Sequence, residues 1–161
     1  MATAYIETTV PSYYVARTSD SLLQAAKQAA TRTWWDAGCS GFELFTSLET
    51  LDEAGRGDEA MALERLKLLK DIPLLPIPEE GLKLARSLVA SEIVPAKAAS
   101  DAIHIALASV HGIDYLVTWN FKHIANPFLR DRIRVAIGAA GFDLPVMCSP
   151  EELHQNNDEG D

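Results

Sequence analysis

PAKAASDAIHIALASVHGIDYLVTWNFKH, residues 95–123, holds a helix pattern and a strand pattern back to back. Pro95 suits the opening of a helix, because its missing N–H has no partner there anyway. The following residues to Val110 are rich in Ala and Ile on most sides, so the spacing predicts a buried helix. Gly112 provides the stop. Asp114 then turns the chain into YLVTW, a continuous apolar run that reads as a strand buried on both faces. That strand runs directly into Asn120, Lys122 and His123, with no glycine-rich turn between.

Working outward, strands and helices alternate. Ala4–Ile6 predicts a short first strand ending at Glu7, and Pro11 limits its continuation. In DSLLQAAKQAATRTWWDAG, the residues Leu22, Leu23, Ala26, Ala29 and Ala30 recur at helical spacing, with Ser19 or Asp20 as cap and Gly38 as stop. FELFT predicts a strand, and SLETLDEAGRG a short helix closed by Gly55 or Gly57. EAMALERLKLLK predicts an amphipathic helix with Met61, Leu63, Leu66 and Leu69 on or near one face. IPLLPIP, residues 72–78, reads as a strand held to an edge by Pro73 and Pro76. A helix opening on Glu79 and Glu80, a last long helix in NPFLRDRIRVAIGAAG and a last strand in LPVMCS complete the pattern. Alternation of this kind predicts an α/β fold, a three-layer α/β/α sandwich around a mostly parallel sheet. No repeat or linker divides the chain, so residues 1–150 read as one domain and 151–161 as an acidic, disordered tail.

At 161 residues, with 48% hydrophobic and 23% charged, the chain can bury one ordinary core. No apolar run reaches the roughly 20 residues of a spanning helix, so no membrane association is expected. The first residues have neither a basic region nor a long apolar run and read as the start of the fold rather than a signal peptide. Cys39 and Cys148 form no CxxC pair, which disfavours zinc. They read as free thiols of a cytoplasmic protein, with a long-range disulfide as the alternative. The net charge of −9 argues against a nucleic-acid surface taken over the whole chain. However, EELHQNNDEGD alone carries five of the acids, and Lys122, Arg130, Arg132 and Arg134 gather ahead of it. Such a group is either a solvated helix face or a phosphate track.

In open α/β sheets, sites form beyond the carboxyl ends of the strands. Glu7 ends the first strand, and Asn120 is expected to end the strand YLVTW at the same level as Glu7 if the two are parallel neighbours. Asp101 is a charge in an apolar helix, costly without a partner. Glu53 lies on a short helix before its glycine stop. Each has a plain structural reading. Glu7 can cap the next helix, Asp101 can pair with Lys97, Glu53 is one acid among several, and Asn120 is a good turn residue or N-cap. Taken together they form a carboxylate cluster, which repels itself unless a cation neutralises it. Oxygen ligands without Cys or His select Mg²⁺ or Mn²⁺, and such ions serve phosphodiester hydrolysis. No GxxxxGK[ST], GxGxxG or Asp-x-Asp supports a nucleotide-binding or phosphatase alternative.

The segments YIETTVPSYY, SLETLDEAGRGD and PAKAASDAIHIALASVHGIDYLVTWNFKHIANP together resemble PIN domains, and within them the VapC-type toxins of bacterial toxin–antitoxin pairs. The resemblance spans roughly residues 4–147 and is most specific in Asp-Ala-x-His followed by helix, glycine turn, strand and Thr-Trp-Asn. It implies a parallel sheet flanked by helices, a Mg²⁺ or Mn²⁺ site, ribonuclease activity, an antitoxin partner and a homodimer. It assigns Glu7, Glu53, Asp101 and Asn120 to the metal and catalytic positions. Two residues depart from the pattern: Glu7 stands where Asp is usual, and Asn120 where the fourth acid often lies. A catalytically weakened module that binds RNA or protein is the alternative. Thr8, Lys97, Thr118, Lys122 and His123 are candidate RNA contacts, with Thr118 also supporting Asn120. His104, one turn after Asp101, is expected to hydrogen-bond within the fold. Trp34 and Trp35 are expected in the core or in a dimer contact.

Overall fold

The computed structural model describes residues 1–154, and positions 155–161 of the expected tail lie outside them. Its centre is a parallel sheet of four strands in the order β2-β1-β3-β4. These are β1 (Ala2–Ile6), β2 (Phe42–Phe45), β3 (Tyr115–Val117) and β4 (Val146–Cys148). Around it lie α1 (Thr9–Val15), α2 (Leu22–Thr33), α3 (Leu48–Ala54), α4 (Glu59–Leu69), α5 (Glu79–Ala90), α6 (Ala99–Val110) and α7 (Arg130–Ala139). This is the α/β class expected, consistent with a three-layer sandwich. Among the described residues no helix is long and apolar enough to cross a membrane.

The pairing register explains the layers. Tyr5 stands opposite Leu116, and Leu116 opposite Met147. All three face the core built with α5, α6 and α7, where Leu88, Ile105, Ile133 and Ile137 are fully buried. The alternate residues Ala4, Ile6, Val117 and Cys148 face the opposite core with Val10, Trp34, Ala54 and Leu69. Strands covered on both sides are continuous apolar runs, as YLV is. α6 is buried on most sides, and Gly112 reverses the chain after it with φ of +65°. There the absence of a Cβ removes the steric penalty of the left-handed region.

Several elements differ from expectation. IPLLPIP is not a strand: it contributes a single parallel bridge, Leu74 to Thr46, beyond the end of β2. Pro73 and Pro76 lack the N–H groups that a longer ladder needs. In α4, Leu63 is exposed and Ala62 takes the buried position. Ser21, not Ser19 or Asp20, caps α2. The face of α2 is reversed, with Leu22 and Leu23 90% and 64% exposed while Gln28 and Thr31 are buried. Polar bonds decide this. The Gln28 amide donates to the Arg17 carbonyl, and its oxygen accepts from the Ser19 N–H. The Thr31 hydroxyl donates to the Lys27 carbonyl and accepts from the Trp119 indole N–H at 2.8 Å.

Both cysteines are free thiols, so the disulfide alternative does not hold. Burial, with Glu152 adding to it, pushes the Cys148 thiol up to about 12. Leu153 packs into the core on a short 3-10 turn, Glu151–Leu153, so the ordered chain runs past residue 150. Arg130, Arg132 and Arg134 lie exposed on α7, where Arg134 pairs with Asp131 at 2.9 Å. They form a solvated helix face.

The reversed face of α2 gives an opposed pair of expectations. Thr31→Val leaves the buried Trp119 N–H without an acceptor and is expected to cost about 1–3 kcal/mol. Leu22→Ser, at an exposed site, is expected to change stability by no more than about 0.5 kcal/mol. Urea unfolding of the two variants beside the parent checks both.

Candidate active site

β2 lies on one side of β1 and β3 on the other, so the strand order reverses at β1. The carboxyl ends of β1 and β3 therefore flank the crevice where α/β sheets hold ligands. Ile6 pairs with Val117, and the Glu7 N–H donates to the Val117 carbonyl at 3.2 Å. This sets Glu7 beside Thr118. Side chains alternate along a strand, so Glu7 emerges on the same face as Tyr5, toward α6.

Glu7 is only 3% exposed. Its Oε2 accepts from the hydroxyls of Thr9 and Thr118 at 2.6 and 2.7 Å, and the Thr9 N–H also donates to the carboxylate. The capping contact expected at the start of α1 is thus present, and it accounts for part of this carboxylate's partners. Burial pushes the Glu7 carboxyl above its usual range, against the opposing pull of His104, Thr9 and Thr118.

Glu53 projects from the last turn of α3. Its Oε1 accepts from the Thr8 hydroxyl at 2.8 Å and meets Nε2 of His104 at 2.5 Å. Burial works to raise the Glu53 carboxyl, but the bonds from His104 and Thr8 and the charge of His104 prevail and hold it below its usual range. Asp101 opens the first turn of α6. Burial raises its carboxyl, and Glu53 adds to the rise, while the Asn120 amide, His104 and His123 oppose it. The Asn120 amide faces Asp101 without an aligned hydrogen bond between them. No ion pair joins Asp101 to Lys97 among the described residues.

His104 lies fully buried beneath these carboxylates. Its Nδ1 is 2.6 Å from the Tyr5 hydroxyl, which is also 2.6 Å from Ser47 Oγ. Burial disfavours the imidazolium, but Tyr5, the bond to Glu53 and the charges of Glu7 and Glu53 together hold the imidazole well above its usual range. His104 therefore hydrogen-bonds within the fold, as its place one turn after Asp101 suggests, and acts as the buried counter-charge of the cluster.

Asn120 lies two residues beyond the level of Glu7, where Thr118 stands instead. Its Oδ1 accepts from the His123 N–H at 2.9 Å, and its own N–H donates to Thr118 Oγ1 at 2.9 Å. It is a turn residue whose amide faces Asp101. Thr118 supports it as expected, but Thr118 is fully buried and cannot touch RNA. Thr8 is engaged by Glu53. Lys97 and Lys122 are exposed, and His123 is half-buried. Glu49 is a further acid on this edge, one turn before Glu53 on α3, and it accepts a bond from the Ser100 hydroxyl. The i,i+4 spacing of Glu49 and Glu53 puts both on one helix face and is its only signal in the sequence. The role of Tyr5 had no such signal, because an apolar strand gives no reason to single out one hydroxyl.

The donor set is chemically suited to a hard divalent cation, with three or four carboxylates and no thiolate. Among the described residues, no three His, Cys, Asp or Glu side chains converge as closely as a bound ion requires. Glu53 instead bonds directly to His104, while Glu7 is held by Thr9 and Thr118.

No family model, curated protein or solved structure matches this chain.

The raised His104 has a definite pH consequence. Its stabilising contribution is complete below the unfolded value of about 6.5 and is lost as pH rises through the folded value. The urea midpoint is expected to fall as pH is raised above about 6.5, and to fall less in His104→Gln. Parallel titrations of the two proteins check the sign. Equal slopes would show that His104 is not the group responsible.

Proposed function

We propose that this protein is a metal-dependent endoribonuclease of the PIN type, acting as the toxin of a toxin–antitoxin pair. The observation that carries the proposal is the chain of bonds from Thr8 through Glu53 to His104, which ties the end of β1, α3 and α6, and with them Glu7, Glu53 and Asp101, to the edge where the strand order reverses. The resemblance of the three sequence segments supports the same conclusion.

In this mechanism, Glu7, Glu53 and Asp101 would hold Mg²⁺ or Mn²⁺. The ion supplies Lewis-acid stabilisation of the phosphate oxygens and a more acidic water. The chain supplies placement. The Thr9 and Thr118 hydroxyls fix the Glu7 carboxylate, and the Tyr5–His104 pair fixes Glu53 from beneath. Asn120 presents its amide to Asp101 and orients the water that attacks the phosphodiester. Lys97, Lys122 and His123 offer positive charge to the backbone phosphates. An RNA substrate, an antitoxin partner and a homodimer follow from the same proposal.

A second reading has its own observation. Glu53 is already paired with His104, Asn120 carries no charge, and the carboxylates do not form a closed cage. These features favour a weakened PIN module that binds RNA or protein without cutting.

The distinguishing experiment uses a mixed panel of single-stranded and structured RNAs with Mn²⁺, with and without chelator. The nuclease reading expects metal-dependent cleavage that falls by about a hundredfold or more in Asp101→Asn, with an unchanged circular dichroism spectrum. Intact cleavage by that variant would remove Asp101 from the mechanism. Failure of the parent to bind millimolar Mn²⁺ in calorimetry would favour the binding module.

A further inference from the structure

An aromatic ring stands on the turn that follows β3. Phe121 follows Asn120 directly and remains 42% exposed. Its support is rigid. The Trp119 ring meets it edge-on at 5.9 Å, and Trp119 is itself buried. The indole N–H is fixed to Thr31, and the Trp119 main-chain N–H donates to Thr9 Oγ1 at 2.8 Å. The bond from the His123 N–H to Asn120 Oδ1 pins the other end of the turn.

A cation accompanies the ring. Lys27 reaches across from α2, with Nζ 5.3 Å from the Phe121 centroid and 5.6 Å from that of Trp119. Among the described residues Lys27 has no ion pair, so aromatic faces rather than a carboxylate hold its charge. Lys122 stands exposed on the same turn. In a chain of net charge −9, Lys27 and Lys122 thus gather at an exposed ring on this turn. An exposed π-face flanked by unpaired positive charge matches the two halves of a single-stranded nucleotide, a flat base and an anionic phosphate. An apolar peptide segment would use the ring but leave the ammonium groups without anions.

We propose that Phe121 and Lys27 form a subsite for one unpaired nucleobase of an RNA strand and its adjoining phosphate, on the turn that follows β3. The inference rests on the ribonuclease reading and adds a substrate-positioning site to it. A base stacks on Phe121, and Lys27 contacts the phosphate. A single strand is preferred because a paired base cannot offer its face to the ring.

The test is anisotropy of labelled single-stranded and duplex RNA oligonucleotides with the full chain in EDTA, which keeps binding apart from cleavage. Phe121→Leu keeps apolar bulk but removes the π-face, and is expected to weaken single-strand binding by about tenfold. Phe121→Trp is expected to retain the parent affinity. Lys27→Gln should weaken binding and make the salt dependence shallower by about one phosphate contact. If the parent binds RNA and Phe121→Leu binds equally well, the subsite is overturned while the nuclease reading stands. Equal affinity for duplex and single strand would overturn it too, and would leave the patch to a protein partner. Absence of RNA binding by the parent would count against the ribonuclease reading itself and remove this subsite with it.

Discussion

The parallel pairing of β1 with β3 is the constraint on which the site depends. Tyr5 opposite Leu116 places Glu7 beside Thr118 and turns both toward α6. A slip of one residue would send Glu7 to the other face of the sheet, among Val10 and Trp34, away from His104 and Asp101. The two apolar cores hold the register, because each strand is covered on both sides and neither face tolerates a polar residue in place of an apolar one.

His104 is the second constraint. Carboxylates from β1, α3 and α6 would repel one another in so buried a place. A buried imidazole between Tyr5 and Glu53 offsets that repulsion within the fold. The consequence is a site with its own internal cation, in which Glu53 is held low while Glu7 and Asp101 are held high. The carboxylates thus differ: the bonds from His104 and Thr8 favour the charged form of Glu53, while burial disfavours it in Glu7 and Asp101. A metal ion entering this edge would meet a partly compensated cluster rather than bare negative charge.

The acidic overall composition conceals local contrast. The arginines that cluster in the sequence disperse over the outer face of α7, one of them already paired with Asp131. Lys27 instead lies over the rings of Trp119 and Phe121, and Lys122 stands exposed on the same turn. Lys27 belongs to α2, far from Phe121 in sequence. Adjacency in the chain was therefore a poor guide to adjacency in the electrostatic surface.

The α/β class, the buried character of α6 and the strand YLV were legible in the sequence because each depends on local periodicity and composition. Glu7 and Asp101 stood out as well, since a charge at a strand end or within an apolar helix is costly wherever the chain goes, whereas Glu53 was one acid among several on a short helix. Tertiary structure decided what periodicity could not. It turned the leucines of α2 outward, because Thr31 meets the distant Trp119 and Gln28 bonds the loop before the helix, which together outweigh the helix's apolar pattern. It reduced IPLLPIP to one bridge, and it drew Tyr5, Ser100 and Glu49 to the site edge. It also made Asn120 a turn residue by giving its oxygen to the His123 N–H. These outcomes rest on which groups meet across the sheet, and one strand of sequence carries no record of that meeting until the register is set.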